Sequence, residues 1–204
     1  MLEAQDLAAR RGDATLFHSL GLRVDAGKVL VITGPNGTGK TTLLRILAGL
    51  TLPSAGFICW RGDVVAPLSL KLREEVLFAG HLPGLKDELT TEENLRALVT
   101  LAGGAPSMAE IREALATVSL EAQSALPARV LSAGQRRRIG LARLSLLRRP
   151  LWLLDEPATA LDTTGLRLLG YLIGEHLARE GAVIAATHQP LELPPERIER
   201  LVLA

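Results

Sequence analysis

A chain of 204 residues with 48% hydrophobic content is long enough to bury a core, as one domain or a domain with an inserted lobe, and too apolar to be disordered. A net charge of +1 points neither to a nucleic-acid partner nor to an acidic tail. The longest apolar runs, Val29–Ile32 and Leu151–Leu154, are far too short to cross a bilayer, the start lacks the apolar stretch of a signal peptide, and a lone Cys59 rules out an internal disulfide, so a cytosolic location is expected.

Residues 2 to 24 read as short antiparallel strands, with Leu20, Leu22 and Val24 alternating against Gly21 and Arg23 before the turn Asp25-Ala26-Gly27-Lys28. The apolar run Val29–Ile32 reads as a buried strand. It leads into Gly34-Pro35-Asn36-Gly37-Thr38-Gly39-Lys40-Thr41-Thr42, a full match to the phosphate loop G-x-x-x-x-G-K-[ST], and Leu43, Leu44 and Leu47 follow at helical spacing. Glycines let backbone N–H groups turn in around a triphosphate, and a helix starting there presents its positive dipole end to the anion. Lys40 is expected to reach the β- and γ-phosphates and the Thr41 hydroxyl to ligate Mg²⁺. The chain is therefore expected to bind a nucleoside triphosphate.

Pro53-Ser54-Ala55-Gly56 breaks the chain, Phe57 to Trp60 reads as a strand turned back at Arg61-Gly62-Asp63, and Val76–Ala79 as a central strand ending at Gly80-His81. From Leu82 to Leu147 the pattern becomes helical and marks an inserted lobe. Thr90 to Glu93 fits a capping box with Leu95, Leu98 and Ala102 on one face, and Gly103 to Pro106 stops that helix. Ser107 to Glu110 opens another, with Ile111, Leu115 and Val118 inward. Leu131-Ser132-Ala133-Gly134-Gln135 opens a third, where Ser132 and Gln135 fit the S-x-x-Q capping pattern and Gly134 permits close approach by a phosphate. The cluster Arg136-Arg137-Arg138 reads as a solvated or phosphate-facing flank rather than a nucleic-acid patch.

Leu151 to Leu154 then reads as a buried strand that presents Asp155 and Glu156 at its carboxyl end, where open parallel sheets bind ligands. Asp155 is expected to hold Mg²⁺ through water and Glu156 to polarise the attacking water. A turn from Pro157 to Asp162, a helix from Leu166 to Leu177 and a buried strand Ala182–Ala186 follow. That strand ends in Thr187-His188, and a histidine there can donate to a γ-phosphate. The tail from Pro190 to Leu203 is expected to close the fold as a strand without a further domain.

The phosphate loop, Leu131–Gln135, Leu154-Asp155-Glu156-Pro157, Ala160-Leu161-Asp162 and Thr187-His188 occur in the order in which the ATP-binding cassette family carries its motifs, and the chain resembles that family's nucleotide-binding domain over essentially its whole length. Ala133 is a small-residue variant within the signature. The resemblance implies an α/β P-loop NTPase fold: a RecA-like mixed sheet core with an antiparallel β edge and an inserted α-helical lobe. Residues 1–81 and 148–204 would form the catalytic core and 82–147 the lobe, within one domain of 1–204. It also implies ATP hydrolysis with Mg²⁺, and a head-to-tail homodimer in which each ATP lies between one subunit's phosphate loop and the other's Leu131–Gln135. Asp162 would lie in a dimer-facing loop. His81 stands where the family carries glutamine and is expected to couple the nucleotide to the lobe. Arg11 stands where the adenine-stacking aromatic is usual, with Phe17 as the fallback.

A narrower resemblance rests on Gly80 to Lys86, Leu89-Thr90, Glu93-Asn94-Leu95, Leu131 to Arg138 and Thr187 to Leu191, which are similar to the ATP-binding subunits of cytochrome c maturation exporters. It makes the His-for-Gln exchange a mark of the family. It implies a peripheral subunit on the cytoplasmic face of the bacterial inner membrane that powers, with a membrane subunit, the haem-handling step of c-type cytochrome assembly. The turn Leu82-Pro83-Gly84-Leu85 is expected to receive the membrane partner. No direct haem site is expected, since no Cys-x-x-Cys-His occurs and His18 and His176 read as surface or boundary residues. Two alternatives are a transporter ATPase for another substrate and a soluble cassette ATPase acting on DNA or ribosomes. A sensor that binds ATP without turnover is opposed by the presence of Glu156 and His188.

Overall fold

The computed structural model describes residues 1–204, apart from the side chain of Lys71. It divides into two compact units: Met1–Gly80, Arg149–Pro157 and Ile173–Ala204 form the first, His81–Arg148 and Ala158–Leu172 the second. Residues 158–172, grouped with the strands on sequence, thus lie in the second unit.

The first unit holds two sheets. β1 (Leu2–Arg11), β2 (Ala14–Val24), β4 (Ala55–Trp60) and β5 (Asp63–Val65) form an antiparallel sheet of order β2-β1-β4-β5. Its strands run longer than the sequence suggests, because bulges between Ala4 and Arg10 re-aim the alternation partway along the β1–β2 pair. The second sheet is parallel throughout: β6 (Val76–Ala79), β7 (Leu151–Asp155), β8 (Ala182–Ala186), β3 (Val29–Thr33) and β9 (Ile198–Val202), in that spatial order. A central parallel strand is covered on both faces, so β7 and β8 are buried at every position and read as unbroken apolar runs. α1 (Lys40–Leu47) turns Leu43, Leu44, Ile46 and Leu47 into the core that Leu7, Leu30, Ile32, Leu153 and Ile184 share. A short α2 (Leu70–Glu75), capped by the Ser69 hydroxyl, precedes β6.

The second unit contains α3 (Thr91–Leu101), α4 (Met108–Thr117) and α5 (Ala133–Leu146). All three open on a complete capping box: Thr90 with Glu93, Ser107 with Glu110 and Ser132 with Gln135. In each box the two side chains reciprocally satisfy one N–H group apiece, groups that would otherwise be left bare at the helix start. Leu95, Val99, Ile111, Leu115, Ile139 and Ala142 are buried, as the 3.6-residue period requires. Asn94 is buried too, and its amide bonds Lys86, Leu89 and Thr90 main chain, which fixes the approach to α3. α6 (Thr163–Ala178) begins in this unit and ends in the first.

Candidate active site

Three neighbouring strands of the parallel sheet end at one edge. β3 delivers Gly34 to Gly39, β7 delivers Asp155 and Glu156, and β8 delivers Thr187 and His188. Ligands bind at such carboxyl ends in open α/β sheets.

The loop after β3 has Gly34, Gly37 and Gly39 at φ of 144°, 90° and 97°, values that L side chains rarely adopt. At Gly34 a side chain would run into the Leu203 carbonyl, and at Gly39 it would meet Leu16 at 3.0 Å and the Phe17 ring at 3.2 Å. The loop thus needs glycine for conformation and for space. Gly39 is also the N-cap of α1, in a left-handed conformation with no side-chain cap, so nothing of the helix's own occupies its leading N–H groups. Lys40, only 8% exposed, donates through Nζ to the carbonyls of Gly34 (2.6 Å) and Pro35 (2.9 Å), which hold the ammonium against the loop. Thr38 donates to the Pro35 carbonyl. Pro35, Asn36 and Thr42 complete the motif, with Asn36 and Thr41 on the exposed side.

The Thr41 hydroxyl donates to the Asp155 carboxylate, at 2.9 Å to Oδ2 and 3.1 Å to Oδ1, across 114 residues of sequence. Asp155 is 4% exposed. A hydroxyl and a carboxylate in that proximity are hard oxygen donors of the kind Mg²⁺ takes, and the donor set fits the ion. Glu156 follows in a left-handed conformation (φ 48°), its N–H bonded to the Ala186 carbonyl at 2.8 Å. His188 Nε2 stands 4.0 Å from Glu156 Oε1. Thr187, just before His188, is buried, and its hydroxyl accepts the Gln189 N–H, which shapes the turn that carries His188.

Arg11 ends β1 with an exposed side chain beside Gly12. The fallback aromatic is corrected: Phe17 is 7% exposed and packs in the core beneath Gly39, so its ring offers no open face for a base. His176 lies half-buried, at the boundary position expected of it. Its ring stacks on Trp152 of β7 at 3.9 Å and 7°, with Nε2 3.2 Å from the Ala182 carbonyl. Burial pushes its pKa down to about 4.

The remaining expected residues lie in the second unit. Ser132 caps α5, its hydroxyl accepting the Gln135 N–H while Gln135 Oε1 accepts the Ser132 N–H at 2.9 Å. Gly134 leaves room that a side chain would take from the Ala160 carbonyl, 3.2 Å from where its Cβ would sit. Leu131 is buried behind the cap, and Ala133 lines an open groove of about 380 Å³ with His81, Leu82 to Leu85, Arg136, Arg137, Thr159 and Ala160. Asp162 accepts the Gly165 N–H at 2.8 Å and the Arg138 guanidinium at 2.8 and 3.0 Å. The backbone bond first, and Arg138 second, hold its carboxyl below the usual aspartate range.

The three arginines are not a solvated flank. Arg136 pairs with Asp87 at 2.6 Å, Arg137 donates to the His81 carbonyl at 2.7 Å, and Arg138 takes Asp162. Sequence reasoning missed these ties because no local pattern announces partners 24 to 56 residues away.

A phosphate loop, an acidic strand end and a terminal histidine on adjacent parallel strands, with a separate helix opened by Ser132, define an ATP-binding cassette ATPase. The family model for ABC transporters matches residues 17–159, and the chain belongs to that family. Among curated relatives it is 44% identical over 204 residues to the cytochrome c biogenesis ATP-binding export protein CcmA of Nitrosomonas europaea, covering 100% of this chain and 96% of that one. To the CcmA of Aromatoleum aromaticum it is 49% identical over 198 residues, covering 96% and 92%. Among solved structures it is similar to the ATP-binding cassette MJ0796, a dimer in a post-hydrolysis state bound to ADP and Pi, with TM-score 0.77, 25% identity and coverage of 93% and 88%.

Proposed function

We propose that this ABC ATPase powers the haem-handling export step of cytochrome c biogenesis; the names and identities of the CcmA relatives support the export role in that process. The observation that carries the ATPase reading is the Thr41–Asp155 bond, which brings the phosphate loop and the acidic strand end to one point. The phosphate loop, Gly34 to Thr42, takes the triphosphate, with Lys40 turning from its carbonyls to the β- and γ-phosphates. Thr41 and Asp155 would hold Mg²⁺, which would supply positive charge against that developing on the phosphates. Glu156 orients and deprotonates the attacking water, and His188 donates to the γ-phosphate. Arg11 offers a guanidinium plane to the base.

The second half of the site comes from another copy. The cap at Ser132 and the bare approach to Gly134 suit a partner's γ-phosphate, so ATP joins two copies head to tail and hydrolysis parts them, a switch between states of different ATP affinity. The solved dimer of the MJ0796 cassette with ADP and Pi supports two-copy assembly. The export role in the names of the CcmA relatives supports a separate membrane subunit that recognises the cargo. Leu82, 80% exposed at the rim of the groove, supports that site as the docking point. A peripheral place on the cytoplasmic face of the inner membrane follows.

The test is the Glu156→Gln variant with MgATP in sedimentation velocity. A dimer that forms with ATP, fails with ADP and is lost on Gly134→Trp is expected. A monomer throughout removes the head-to-tail reading. The alternative of a soluble cassette acting on nucleic acid loses support from the arginine cluster, whose members bond within their own unit. Salt-sensitive RNA or DNA binding at micromolar protein would restore it.

A further inference from the structure

α5 begins with its capping box and then presents three arginines in succession, each about 100° further round the helix. Each reaches a different segment: Asp87 in the loop before α3, the main chain at residue 81, and Asp162 at the start of α6. Two of these ties are side chain to side chain. The third differs, because Arg137 Nη1 donates to the carbonyl oxygen of His81 itself, at 2.7 Å and 56 residues away in sequence.

We infer that Arg137 is a positioning residue that fixes the main chain of His81 to the helix carrying Ser132–Gln135, so that the imidazole and the signature residues move as one body. This rests on the ATPase reading above. A charged donor on a main-chain carbonyl is among the stronger single hydrogen bonds, and it acts on the peptide plane that sets the direction of the side chain. His81 is an exposed residue at the head of the turn Leu82-Pro83-Gly84-Leu85, where a one-residue change of peptide orientation re-aims the ring. Arg137 and His81 also line the same groove, so an occupant pressing on Leu82 to Leu85 is felt at α5 through this bond. Arginine suits the task better than lysine, because its planar fork is pre-organised and loses less freedom per bond.

The full chain is assayed for MgATP turnover and for backbone amide exchange at residues 81–85. Arg137→Gln is expected to lower kcat about tenfold with KM within about twofold, the scale of one lost bond to a charged group seen only at the reacting stage. Exchange at 81–85 is expected to rise about tenfold. Arg137→Lys, which keeps the charge without the fork, is expected to fall between the two in both measurements. In a His81→Ala background, Arg137→Gln is expected to cost less than about twofold further, as residues acting through one another are non-additive. The full loss in that background, or wild-type kcat and exchange in both Arg137 variants, overturns the inference. If Arg137→Gln does not fold, wild-type exchange in Arg137→Lys overturns it alone. A wild-type chain without turnover would instead defeat the ATPase reading, and the exchange readout still decides the role of Arg137.

Discussion

Acidification is expected to loosen the strand that carries Asp155 and Glu156 before carboxylates titrate, through His176. That ring lies flat on Trp152, bonds the Ala182 carbonyl, and leaves Gly181 no room for a side chain. Burial lowers its pKa from 6.5 to about 4; of the charged groups near it, Arg179 acts in the same direction, while bonds to the Ala182 and Pro150 carbonyls oppose the shift. Because the folded pKa is depressed, the unfolded chain binds the extra proton between pH 6.5 and 4, and stability falls as pH falls through that window. With those two pKa values the loss between pH 8 and pH 5 is about 2 kcal/mol, of the same order as the net stabilisation many domains have to spare. The assay is urea unfolding followed by tryptophan fluorescence at pH 8, 7, 6 and 5, for wild type and for His176→Gln. The variant is expected to start less stable at pH 8, having lost the stack, and to lose about 2 kcal/mol less than wild type on going to pH 5. Parallel pH profiles for the two proteins would refute the assignment to His176.

Lys40→Ala is expected to weaken ATP binding at least tenfold in equilibrium titration, because the ammonium now held by Gly34 and Pro35 is the loop's phosphate-seeking charge; unchanged affinity would remove the phosphate-loop role. Thr41→Val should leave Mg-free ATP binding within about threefold while cutting Mg²⁺-dependent turnover by about 10²-fold or more, and equal effects with and without the metal would count against the hydroxyl as its ligand. Glu156→Gln is expected to slow hydrolysis about 10²- to 10⁴-fold with ATP binding retained, the range for a positioned base, and wild-type turnover would exclude that residue. A photocrosslinker at Leu85 in membranes is expected to capture an integral membrane subunit, identified by mass spectrometry; labelling of soluble proteins alone would point the groove elsewhere.

The parts of this molecule that sequence discloses are those with local physics. β3 and β7 announce themselves because strands covered on both faces must be apolar throughout, and the three capped helices because a cap and its reciprocal partner lie three residues apart. The short α2 has a serine cap but no reciprocal Glu or Gln at the third helical position, and at six residues it shows too little period to be read. Phe17 entered only as the nearest aromatic to the position that the family resemblance marks for base stacking, and motif order does not tell that its ring packs in the core under Gly39. The arginine ties and the His176 stack are tertiary facts, set by which segments meet, and no window of residues encodes them. The recognisable motif order placed the phosphate loop, acidic pair and terminal histidine in sequence, but only the strand order β7-β8-β3 explains why residues so far apart share one edge.

Glu156 occupies a backbone region in which a bulky L-residue is held against its preference, with φ at 48°. Glycine at that position is expected to relax the backbone by about 1 kcal/mol or more and, in the role proposed for Glu156, to abolish turnover. The carboxylate is thus kept at a site where a sequence selected for durability alone would discard it. A copy of this chain released from any duty to turn over nucleotide is expected to drift toward Gly or Asn at 156, melting higher as it falls silent.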